Sequence, residues 1–130
     1  MTEAVIEKMI EERGVEDDIR DAMTPEKLYA WLVRMGEWWT CPRRAAQCPI
    51  REYLYRTIPN LSESVEVYYT HVMWYADNGD HKLVSLPTWA KEVQLRWHDE
   101  APNTGLWDPS QSYAMTTARA ACILKEMMRW

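Results

Sequence analysis

Residues 65–86, VEVYYTHVMWYADNGDHKLVSL, limit the fold more than any other stretch. Val, Tyr, Thr and Trp fill eight of the first eleven positions, and these residue types favour a pleated, half-buried surface. Asn78-Gly79 follows inside ADNGD, a strong signal for a tight reversal. HKLVSL then reads as the returning strand. The stretch predicts an antiparallel β-hairpin, 65–75 with 81–86. Val65, Tyr69, Val72 and Met73 also fit a helical face, and on that reading the chain becomes an all-α bundle.

The flanking segments carry helical signals. Val5, Ile6, Met9 and Ile10 share one face of a helix over 2–13, with Thr2 as cap and Gly14 as stop. Residues 15–23 read as a short acidic link of one or two helical turns. Thr24-Pro25-Glu26 starts a helix with Leu28, Trp31, Leu32 and Met35 inward and Gly36 at its end. Residues 40–47 read as a loop. Cys48-Pro49 starts a helix whose face is Ile50, Tyr53, Leu54 and Ile58, ended by Pro59-Asn60. Leu86-Pro87-Thr88-Trp89 opens another, with Trp89, Ala90, Val93 and Trp97 inward. Asp108-Pro109 caps a short turn. A final helix from about Thr116 presents Ala120, Ile123, Leu124 and Met127. The sum is an α+β fold, mainly helical. It is expected as one domain over 1–130, with residues 1–40 a helical N-terminal extension packed on it.

The chain's 20 acidic and 15 basic residues give a net charge of −5. That balance gives no sequence-independent pull toward nucleic acid or anionic lipid. No apolar run reaches the roughly 20 residues of a membrane span. The acidic start lacks a signal peptide's apolar stretch, so a cytoplasmic location is expected.

The cysteines invite three readings. Cys41 and Cys48 are separated by six residues, wider than the spacing of a zinc site, and Cys122, His71, His81 and His98 are scattered. A disulfide does not suit the expected compartment. The third reading is local: Cys48 at a helix N-cap, near Arg43, Arg44 and Arg51, is either a thiol with a lowered pKa, hence a redox candidate with Cys41, or a small apolar residue under the helix start. No metal and no cofactor is expected. The acidic run Glu11, Glu12, Glu16, Asp17, Asp18 and Asp21 lacks the alternation of a calcium loop. Asp77, Asn78, Asp80 and His81 suit turn chemistry. His98, Asp99 and Glu100 point in different directions on a helix, and no phosphate loop or nucleophile elbow appears, so a binding protein is favoured over an enzyme.

Eight Trp and seven Tyr stand against no Phe, and both rings favour half-buried and interface positions. Trp38, Trp39, Arg43 and Arg44, with Arg34 and Arg51 nearby, place cations beside indoles in an acidic protein. Trp and Arg dominate interface hot spots, so these four are the expected contacts for a protein partner. A homodimer is one way to cover them. Stacking on single-stranded nucleic acid is a weaker alternative.

From residue 48 onward the order CPIREYL, a β-like stretch, LPTWAKEV, Asp99 and TTARAACIL resembles short uncharacterised proteins of bacteria and their phages or plasmids. They share a Cys-Pro-aliphatic-x-x-Tyr-Leu segment followed by a Leu-Pro-x-Trp-Ala helix. The resemblance covers roughly the last two thirds of the chain. It implies the hairpin and a mobile-element setting, and no chemistry.

Overall fold

The computed structural model describes residues 14–100 and 114–130. The helix expected over 2–13 and the Asp108-Pro109 turn lie outside the described residues. Residues 14–22 are helical (α1), so Gly14 is not a stop, and the helical turns expected in the acidic stretch are present and run through Ala22. The elements that follow are α2 (Pro25–Met35), β1 (Trp39–Thr40), α3 (Pro49–Thr57), β2 (Glu66–Val67), β3 (His71–Tyr75), β4 (His81–Ser85), α4 (Thr88–Glu100), β5 (Met115–Thr116) and α5 (Thr117–Met128). The fold is α+β and mainly helical, with small antiparallel sheets.

The helix boundaries follow local chemistry. Thr24 caps α2 by accepting from the Lys27 N–H, and Pro25 fits the first turn, where no N–H is needed. Cys48 caps α3 in the same way, its sulfur accepting from the Arg51 N–H at 3.4 Å. Thr116 caps α5 through the Arg119 N–H at 3.1 Å.

The hairpin is present and richer than expected. Its first strand is split: Val67 and Val72 face each other across the two-residue connection Tyr69-Thr70, with the Tyr68 N–H donating to the His71 carbonyl at 2.8 Å. The result is a three-stranded meander, β2-β3-β4. Alternation along it is clean. Val67, Val72, Trp74 and Val84 point inward, and Glu66, Met73 and Leu83 form a row on the outer face.

A second ladder was not expected. The loop expected from residue 40 starts one residue later: Trp39 and Thr40 pair with Thr116 and Met115. Gly36 sets this up. It ends α2 at φ 67°, ψ −115°, a conformation closed to L side chains, and its carbonyl accepts from the Ala118 N–H at 2.7 Å and from the Thr117 hydroxyl. The Trp38 carbonyl accepts from the Thr117 N–H at 2.8 Å. Thr40 Oγ1 donates to the Met115 carbonyl at 2.9 Å.

One continuous core joins the elements. α2 packs most extensively on α5, and α4 also packs on α5. Trp97 is fully buried, its indole N–H donating to the Ala120 carbonyl at 3.1 Å. The buried polar side chains Thr40, Gln94 and Thr117 are all hydrogen-bonded.

Two glycine substitutions separate backbone from packing effects. A Cβ at Gly14 or Gly36 would meet no atom within 4 Å. Gly36→Ala should therefore destabilise through backbone strain alone, by about 1–3 kcal/mol in chemical denaturation. Gly14→Ala, at a helical position, should stabilise by about 0.5–1 kcal/mol.

Candidate functional site

The ladder β1–β5 decides what the two adjacent tryptophans do. Successive side chains on an extended chain point to opposite sides. Trp38 turns inward, where its ring lies 6.4 Å from that of Trp31 and the Arg56 guanidinium sits 3.9 Å over it. It packs against the core as a wall. Trp39 turns outward and is 65% exposed, more than any other large apolar side chain among the described residues. It stands opposite Thr116, the residue that caps α5.

Arg43 and Arg44 are both exposed on the loop that follows. That loop is internally bonded. The Cys41 N–H donates to the Gln47 carbonyl at 2.9 Å, and the Arg44 N–H donates to the Cys41 carbonyl at 3.0 Å. The Ala45 carbonyl accepts from the Val67 N–H at 2.8 Å, which ties the loop to the meander. Arg43 Nη2 donates to the His98 carbonyl at 2.8 Å, and His98 Nε2 lies 3.0 Å from the Pro42 carbonyl. A carbonyl only accepts, so His98 carries a proton on Nε2. The four residues singled out from sequence thus divide into one open indole, one walled indole, one cation bonded to the end of α4 and one exposed cation.

Arg51 is not an open cation. Its Nε and Nη2 donate to the carbonyls of Val65 and Glu63 at 3.1 and 2.9 Å, and its Nη1 lies 3.1 Å from Glu52 Oε1. It clamps α3 to the segment before β2. Arg34 lines a shallow groove of about 490 Å³ between α1, α2 and α3, with Asp18, Asp21 and Lys27 at its rim and Trp31 and Tyr53 below. The Tyr53 hydroxyl is already used, donating to the Ala22 carbonyl at 2.7 Å.

Of the two readings of Cys48, its burial fits the small apolar residue under the helix start and opposes the lowered thiol pKa. Cys48 is 1% exposed, and burial pushes its thiol up to about 12. The N–H groups of Arg51 and Ile50 pull the other way and lose, because no water remains to solvate a thiolate. Burial also raises Cys41, with Arg44 opposing. Cys48 and the exposed Cys122 are free thiols.

The other candidate clusters resolve into structure. Glu16 and Asp17 pair with Arg20 on α1, and Glu11 and Glu12 lie outside the described residues. Asn78 bonds Asp80 twice within its turn, at 3.0 Å each. Glu100 pairs with Arg119 at 2.6 Å while His98 faces Pro42, so the two diverge. Among the described residues, no three His, Cys, Asp or Glu side chains come together in a way that would hold a metal ion. No helix of the described residues is long and apolar enough to cross a membrane.

Sequence reasoning missed the outer face of the meander, where Tyr75 and Leu83 are 45% and 55% exposed. The signal was present as period-two alternation within HVMWY and HKLVS. Comparison with protein-family models, curated proteins and solved structures finds no match.

Two thiol measurements follow. In the folded protein at pH 8, Cys122 should react first with an aromatic disulfide reagent, and Cys48 only on denaturation. A thiol whose folded pKa is raised favours the folded state fully below its unfolded pKa and loses that contribution as pH climbs to the folded one. Stability should therefore fall between pH 9 and about 12. Cys48→Ser, which keeps the capping acceptor, should show a shallower fall in pH-dependent denaturation. Equal slopes in the two proteins would contradict this.

Proposed function

We propose that the protein is a small binding protein that acts through protein contacts, with Trp39 as its anchor and Arg43 and Arg44 beside it in the chain. One observation carries this reading: a tryptophan fixed by a backbone ladder to the core is left 65% exposed. A rigid indole loses little entropy on docking and buries much apolar area, which is why Trp and Arg dominate interface hot spots. Trp38 contributes by holding the strand in place rather than by touching the partner. The chain's net acidity supports a protein partner over single-stranded nucleic acid. A regulator or inhibitor encoded by a mobile element is the setting that the sequence resemblance suggests.

The test uses two separate variants. Trp39→Ala should leave the melting temperature close to that of the parent and weaken capture of the partner by the immobilised protein about thirtyfold, as expected for a hot-spot loss near 2 kcal/mol. Trp38→Ala should lower stability by about 1–3 kcal/mol, since it removes a half-buried ring packed on the core. A folded Trp39→Ala protein that keeps its partner at full affinity would end this reading.

A further inference from the structure

The meander leaves a second surface uncovered. Its strand order places β4 at an edge. The phase of its ladder follows from two flanking bonds: the Ala76 N–H donates to the Asp80 carbonyl at 2.9 Å, and the Leu86 N–H to the Thr70 carbonyl at 3.0 Å. Alternate residues of β4 therefore turn their backbone groups toward β3, beginning with Lys82 and Val84. His81, Leu83 and Ser85 turn theirs away, and no backbone group of the described residues meets them. The same three residues project their side chains onto the outer face, where Leu83 is 55% exposed and Tyr75 packs on His81 with ring centroids 4.3 Å apart. The acidic groups sit at one end of the edge and on the outer face. Asp77 and Asp80 lie in the exposed turn that leads into β4, and Glu66 lies on the outer face two strands away on β2. Lys82 of β4, opposite Trp74, alternates to the inner face. Residues 62–86 hold Glu63, Glu66, Asp77 and Asp80 against Lys82 alone. None of the four carboxylates is ion-paired among the described residues.

We propose that the open side of β4 and the outer face of the meander take an extended segment of another protein, one with apolar residues opposite Leu83 and Lys or Arg beside the Asp77–Asp80 turn. Strand addition supplies the backbone bonds, and the charge selects the partner. Exposed Tyr faces also attract such cations. A second copy fits less well, because it would bring the same acidic rim and a net charge of −5 to the contact. This surface is independent of the one built on Trp39.

The probe is the blocked peptide Lys-Val-Thr-Val-Thr-Val-Lys, symmetric so that either strand direction works, with its Glu-ended counterpart as control. Titrated into the full chain, the basic peptide should shift the amide resonances of His81, Leu83 and Ser85. The acidic peptide should bind at least about tenfold more weakly. Leu83→Pro removes one outward N–H and no ladder bond, because Leu83 donates nothing to β3; it should weaken the basic peptide about tenfold. Leu83→Lys, which keeps the backbone donor but sets a like charge against the peptide, should do the same if the proline variant fails to fold. Trp39→Ala should bind the peptide as the parent does. The proposal is overturned by unshifted amides at these three positions, by equal binding of both peptides, or by a doubled native mass that Leu83→Pro abolishes.

Discussion

The clasp between residues 36–40 and 115–118 is the constraint on which the rest of the structure depends. Gly36 ends α2 in a conformation that only glycine adopts readily, and its carbonyl takes two donors from the first turn of α5. The ladder continues through Trp38, Trp39 and Thr40. Because each bond joins the end of one helix to the start of another, the clasp sets how α2 and α5 pack, and α4 then fits against α5 through the buried indole of Trp97. The same register fixes which tryptophan is walled and which is open. A shift of one residue would exchange Trp38 and Trp39.

Cys48 and Arg51 make a second joint. Sulfur is a weak acceptor, yet here it caps a helix in a site too dry for a thiolate. Cysteine suits the position because it offers an acceptor and behaves as a small apolar residue at once. Arg51 donates to the backbone of Glu63 and Val65, so the chain leaving α3 is held on course toward β2. Two features that looked like chemistry in the sequence are thus explained by packing and capping.

What was legible in the sequence was local. Thr24, Pro25 and Gly36 mark α2 because caps act within a turn, and Cys48-Pro49, Leu86-Pro87 and Thr116 mark the other helix starts. The Asn78-Gly79 reversal was equally plain. The reversal at Tyr69-Thr70 was hidden, because neither residue is a usual turn former. The β1–β5 ladder was invisible for another reason: Thr40 and Met115 are 75 residues apart, and two-residue strands carry no periodicity. The unequal roles of Trp38 and Trp39 rest on Trp31 and Arg56, which only the fold brings to Trp38. Of the candidate contact residues, sequence could name the cluster but not separate its open indole from its walled one.

Native-state hydrogen exchange at the amides of Thr117 and Ala118 tests the clasp most directly. Both donate across it, to Trp38 and Gly36. If the clasp organises the fold, these amides should open only with global unfolding, at the same free energy as amides in the middle of α2 and α5. Exchange orders of magnitude faster than the helix cores would show that α2 and α5 are held together without it. The exposed position of Trp39 would then have no fixed frame.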